Sequence, residues 1–190
     1  MDIPMRTEEI PRTLQHHTGE EEGSFMTSIS LEQLTAVIAL TLEYPGGLNV
    51  LIGMMAPPAA ENLHRLIRSH KGSLDDLYGA IEGDTLRAEA ERVSDLAEAY
   101  ERTVASCGGW PHIVASVRQW TKDNDASWKL VIDHHCRVKS SRSRIDGPQL
   151  DKMVKDYGMS KALICRRVKQ FPGDLANAIM RTPIEHREAV

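Results

Sequence analysis

The sequence predicts an all-α protein, an acidic N-terminal helical bundle followed by a C-terminal helix-turn-helix module. Three observations lead there. Apolar residues recur at steps of three and four along most of the chain, while strand-like runs of Val, Ile and Thr are few. Caps and stops fall where helices should begin and end, among them Ser30, Pro45-Gly46-Gly47, Gly108-Gly109 and Ser160. Charge is split along the chain. From Arg137 to Gln170 there are ten Lys or Arg against three Asp, a balance of +7. Residues 171–190 carry −1, and the overall −4 therefore leaves −10 on residues 1–136. A basic module on an acidic body concentrates affinity for polyanions in one place.

Length and composition set the outer limits. A chain of 190 residues has room for one or two domains and a real core. No apolar stretch reaches bilayer length, and no membrane association is expected. The segment from Leu31 to Leu42 is apolar but too short, and no signal peptide is read ahead of it. Three widely spaced Cys form no disulfide framework and suit a reducing cytosol. The expected divisions are a tail at 1–27, a helical oligomerisation or partner-binding unit at 28–124, a helix-turn-helix unit at 125–181, and a tail at 182–190.

The elements follow in order. Residues 1–27 have prolines, adjacent histidines and an acidic run but no apolar period. Ser30 and Gln33 have capping-box spacing, and a helix is predicted to about Tyr44. Leu34, Val37, Ile38, Leu40 and Leu42 make it apolar nearly all round, which suits a core or an interface. A short helix is predicted over Leu48–Met55, ended by Pro57-Pro58, and another over Ala59–His70. Leu74–Ile81 is a third. Asp84 caps the longest helix, Thr85 to about Cys107. Its apolar positions Leu86, Ala90, Val93, Ala97, Tyr100 and Val104 step alternately by four and three, a short heptad seam. Such a seam serves either a central bundle helix or a dimer. In the second use Leu86, Val93, Tyr100 and Val104 form the oligomer interface, with a homodimer favoured. Pro111 opens the next helix, which buries Ile113, Val114, Val117 and Trp120. Ala126 to about Val138 is helical again and supports the module that follows. The linker Lys139–Arg144 is basic; Lys139, Arg142 and Arg144 suit phosphate contacts, which position a protein without specifying sequence. The same linker also reads as a solvated loop.

The module itself begins at Pro148, which suits a first helical turn. Leu150, Met153, Val154 and Tyr157 make one apolar face. Gly158 ends the helix, Met159 fills the gap and Ser160 caps the next helix. Leu163, Ile164 and Val168 form that helix's buried side, leaving Lys161, Arg166 and Lys169 outward. Phe171-Pro172-Gly173 predicts a break, then a last helix at about Asp174–Met180 whose Leu175 and Ile179 cover the module.

The run Tyr157-Gly158-Met159-Ser160-Lys161-Ala162-Leu163-Ile164-Cys165-Arg166-Arg167-Val168 resembles helix-turn-helix transcription regulators. These include region 4 of bacterial sigma factors and small phage late-gene activators and antiterminators. The resemblance covers about twenty residues, from Pro148 to Lys169. It departs at the fifth position of the motif, usually Ala and here Val154, which sets the helices slightly further apart or shifts the register. The resemblance implies double-stranded DNA against the second helix and RNA polymerase as a partner. In such motifs the early residues of the second helix face base edges in the major groove. Ser160, Lys161, Cys165 and Arg166 are then the readers, with Lys169 beside them. A bidentate Arg166–guanine pair would carry about 1–3 kcal/mol of discrimination.

Catalytic and cofactor motifs are not found. No Gly-x-Ser-x-Gly, His-Glu-x-x-His or Walker-type loop is present, and neither enzymatic activity nor a cofactor is expected. His134, His135 and Cys136, with Cys107, His112 and Cys165, have zinc-type ligand chemistry but no zinc-site spacing, and no metal is expected. The expectation is a sequence-specific transcription regulator that binds duplex DNA, in the cytoplasm of a bacterial or phage-infected cell. Two alternatives stay open. One is a DNA packaging or partition protein such as a small terminase subunit, which would form a ring larger than a dimer. The other is a protein-interaction adaptor that does not bind DNA.

Overall fold

The computed structural model describes residues 29–71, 74–78, 89–136 and 147–184. The regular structure among them is helical, with no strand. In chain order the helices are α1 (Leu31–Glu43), α2 (Gly47–Leu51), α3 (Ala60–Ser69), α4 (Asp75–Tyr78), α5 (Glu89–Ser106), α6 (Gly109–Asp123), α7 (Asp125–His134), α8 (Gly147–Tyr157) and α9 (Lys161–Arg181). The tail at 1–27, Asp84, Leu86, the linker residues Lys139, Arg142 and Arg144, and residues 185–190 lie outside the described residues. No helix among the described residues is long and apolar enough to cross a membrane.

Helix α1 sits at the centre. The capping box that starts it is complete: Gln33 N–H donates to Ser30 Oγ at 3.1 Å, and Ser30 N–H donates to Gln33 Oε1 at 3.0 Å. Leu34, Val37, Ile38 and Leu40 are fully buried, which an all-round apolar helix requires. It packs against α2, α3, α4, α5 and α9. Gly47 lets α2 turn back closely, since a Cβ there would overlap the Thr41 carbonyl oxygen. Helix α2 stops at Leu51, four residues before the predicted end. The N–H groups of Met54 and Met55 both turn back to donate to Asn49 O, which closes the helix early.

The seam on α5 is used inside the chain. Val93 and Tyr100 are each 2 % exposed and Val104 is 6 % exposed, all in the large apolar cluster. From Val93 onward the seam therefore faces the protein's own core, with Ala90 left exposed, and a dimer through Val93, Tyr100 and Val104 would first have to open that core. Tyr100 carries a polar atom inward, and this is satisfied: its hydroxyl pairs with Thr41 Oγ1 at 2.9 Å, while Thr41 Oγ1 also reaches Val37 O at 2.7 Å.

Two buried acids in this core resist ionisation. Burial pushes the Tyr100 phenol from 10.0 up to about 12, against the opposing hydrogen bond from Thr41. Burial alone pushes the Cys107 thiol from 9.0 up to about 11. The fold holds both protons more tightly than the unfolded chain does. That stability is fully present below the ordinary thiol value and is lost as pH rises through the folded values. The melting temperature should therefore hold up to about pH 9 and fall beyond it. Differential scanning calorimetry across that window should show Cys107→Ala removing the earlier part of the fall. An unchanged profile in that variant would mean the thiol is not the titrating group.

The largest departure from the sequence expectation is at the C-terminus. No break occurs at Phe171-Pro172-Gly173; α9 runs through it as one helix of 21 residues with Pro172 inside. A proline in a helix interior costs about 3 kcal/mol. What offsets it is burial: Phe171, Leu175, Ala176 and Ile179 all enter the large cluster. Phe171 sits 5.6 Å from the Trp120 ring in an edge-on pair and 5.8 Å from Trp128. Asn177 Nδ2 also donates to Gly173 O at 2.9 Å, tying the turn after the proline. Leu175 and Ile179 thus pack into the bundle of α1 and α6 rather than covering the α8–α9 turn.

Candidate nucleic-acid interface

A second, smaller apolar cluster lies where α7, α8 and the first half of α9 meet. Leu130, Met153 and Ile164 are buried in it, with Leu150, Val154, Tyr157, Met159 and Val168 packed around them. Helix α8 contributes at three- and four-residue spacing and α9 through Ile164 and Val168, the periodicity read from the sequence, while α7 adds Leu130. Helix α7 lies against both α8 and α9. Its position is tied by a hydrogen bond from the Tyr157 hydroxyl to Asp133 Oδ2 at 2.8 Å. Val154 is half-buried at the edge of this cluster, so its extra bulk is accommodated between the helices.

Three residues, Gly158, Met159 and Ser160, connect α8 to α9. Gly158 has φ 61°, where a side chain is strained. A Cβ there would meet nothing within 4 Å, so the cost of replacing it is backbone strain alone. Gly158→Ala should destabilise by about 1–2 kcal/mol, and Gly158→Asn by less, because Asn tolerates this conformation. Urea unfolding of the three chains checks that order, and Ala matching Gly would show that the turn is not left-handed. Ser160 is extended and its Oγ accepts from Leu163 N–H at 3.3 Å, which caps α9.

With α9 held at both its apolar ends, one side of its first half faces out. Lys161, Ala162, Cys165, Arg166 and Lys169 are exposed there. At 3.6 residues per turn they fall within an arc of about 140°. Ser160 is exposed at the cap, but by the same spacing it falls with exposed Arg167 on the opposite flank and outside the arc. The fold therefore brings Lys161, Cys165, Arg166 and Lys169 to one face and leaves Ser160, expected among the readers, to its cap on the other side. Ala162 belongs there too, although it carries no polar group. Its methyl is the right chemistry for a thymine methyl, and helical spacing from Lys161 and Cys165 places it.

The face is basic. Between 147 and 170 the chain has six Lys or Arg and two Asp. Lys152 and Lys155 are exposed on α8 beside it. One contact moderates the charge: Lys161 Nζ lies 2.6 Å from Asp151 Oδ1, both side chains about half-exposed. An ion pair this exposed is worth about 0–1 kcal/mol, so Lys161 can exchange Asp151 for another anion. Such a surface attracts polyanions.

The residues weighed as zinc ligands are dispersed. Cys107 is buried in the bundle, whereas Cys136 and Cys165 are exposed. Among the described residues no three His, Cys, Asp or Glu side chains form a group that could hold a metal ion. Comparison with known proteins found no matching family model, curated protein or solved structure.

Proposed function

We propose that the chain is a transcription regulator that binds duplex DNA in a sequence-specific way. In this reading α8, the Gly158–Ser160 turn and α9 form a helix-turn-helix module carried by the acidic helical bundle. The single observation that carries it is the exposed basic arc at the capped start of α9. Lys161, Arg166 and Lys169 point away from the cores that hold the helix. The resemblance to sigma region 4 and to phage activators and antiterminators supports RNA polymerase as the partner. No catalytic role is assigned.

How the protein would reach two half-sites is a separate matter. Val93, Tyr100 and Val104 are taken up by the core, so a homodimer would use another surface. A small terminase subunit or a partition protein would need the same basic arc but a larger ring. An adaptor would use the arc on an acidic protein.

Selection from a random duplex pool at about 150 mM salt tests the reading, because weak polyanion attraction is largely screened there. The expected result is a recovered motif that the Lys161→Ala/Arg166→Ala chain no longer selects. An inverted repeat in the motif would support a dimer. Enrichment of all duplexes alike would favour packaging or partition. No enrichment, alone or with RNA polymerase added, would favour the adaptor and end the DNA reading.

A further inference from the structure

The far end of α9 meets the α5–α6 turn, and a cavity of about 260 Å³ opens between them. Its walls come from distant parts of the chain: Ile29 ahead of α1, Cys107 after α5, His112 on α6, and Ile179 and Met180 on α9. A second hollow of about 460 Å³ shares His112, Thr182 and Ile184 with it. No Asp, Glu, Lys or Arg is among the described residues lining either space. Met180, 49 % exposed, and Ile184, 39 % exposed, both belong to this wall and are among the largest apolar side chains the described surface leaves open.

These features define an occupant. An apolar cavity of about 150 Å³ suffices to bind benzene, so this one has room for a bicyclic ring or a medium-length alkyl chain. The described lining offers an ionised head group no counter-charge, and drawing one in from water is costly. A neutral one finds partners. The His112 imidazole lies on the wall common to both spaces. The Thr182 hydroxyl donates to Ala178 O at 2.9 Å and keeps its own lone pairs to accept a second bond. We propose that this cavity binds a small, uncharged apolar molecule with one hydrogen-bonding group, a phenol or a medium-chain alcohol in chemical class. Its body would lie between Cys107 and Ile179, with its hydroxyl against His112. The site is independent of the basic arc, which lies at the opposite end of the same helix.

The test uses the full chain with 1-naphthol and 1-octanol as probes and decanoate as the charged comparator, followed by titration calorimetry. The neutral probes should bind, and decanoate should bind about tenfold more weakly or worse. Cys107→Met should fill the space and weaken 1-naphthol by about tenfold, with its melting temperature measured to show that it folds. A second readout does not depend on that variant. In the Cys136→Ser/Cys165→Ser chain, bound 1-naphthol should slow alkylation of Cys107 by iodoacetamide. No binding at about 1 mM probe, or binding that leaves Cys107 alkylation unchanged, overturns the proposal. Self-association of the chain that Ile184→Asp abolishes would give this face to a second copy, and would overturn it too.

Discussion

Phe171→Ala should lower the unfolding free energy by about 3–5 kcal/mol, the usual cost of emptying a buried aromatic site. Phe171 is 2 % exposed and stands between Trp120 and Trp128, so the hole left behind has rigid walls that relax little. A typical domain has about 5–15 kcal/mol in total, so the loss is a large fraction of what holds the chain folded. It also removes the contact that carries α9 across Pro172. Urea unfolding followed by circular dichroism and by tryptophan emission is the measurement, since two of the reporters touch the mutated site. The expected result is one shared transition at lower urea. Ile164→Ala offers the contrast: it empties the small cluster beneath the basic arc, at about 2–5 kcal/mol. If α9 is one cooperative element, each variant should shift the same single transition. A loss below about 1 kcal/mol for Phe171→Ala would mean that the ring is not in the core and that the helix breaks at Pro172 after all.

The second large effect concerns the basic arc. Arg166→Ala and Lys161→Ala should each cost about 1–3 kcal/mol at particular base pairs of a selected site while leaving other positions alone. Arg142→Ala and Arg144→Ala should instead weaken binding evenly across sequences and flatten the dependence on salt. Lys161 has a further signature. Its ammonium sits 2.6 Å from Asp151 Oδ1 and must leave that partner on binding. Asp151→Asn should therefore tighten duplex binding by about 0.2–1 kcal/mol, the scale of an exposed pair. Fluorescence anisotropy with the selected duplex and single-base variants of it measures all of these. Equal, sequence-independent losses at Lys161, Arg166, Arg142 and Arg144 would reduce the arc to a general basic patch.

The candidate interface was legible because its determinants are local. The Ser160 cap and the Ser30–Gln33 capping box act over three residues, so the pattern and the geometry coincide. Gly158 needs only its own φ. Tyr157, Met153 and Ile164 follow helical spacing into one small cluster. What the sequence did not show depends on partners far away in the chain. Thr41 and Tyr100 are 59 residues apart, and Tyr157 and Asp133 are 24 apart. Lys161 reads as a free cation until α8 brings Asp151 beside it. Leu51 ends α2 where an apolar run of four more residues suggested otherwise, because Asn49 O collects the next donors.

By itself the sequence determined that this protein is helical, where most of its helices begin, and which stretch gathers the positive charge. Periodicity, caps and charge order are properties of neighbouring residues, and they survive without knowledge of the fold. Only the tertiary structure decided what each apolar face is for. The seam on α5 is as regular as a dimer helix would need, yet Val93, Tyr100 and Val104 are spent on the chain's own core. The helix at Pro172 has a local reason to stop, yet burial of Phe171, Leu175 and Ile179 carries it onward. At Pro172 a local preference of a few kcal/mol is set against apolar area supplied by residues that the sequence cannot place in contact, and on α5 the same kind of area decides which partner the seam meets. Burial outweighs the local preference, and how much area is buried is known only once the helices are packed.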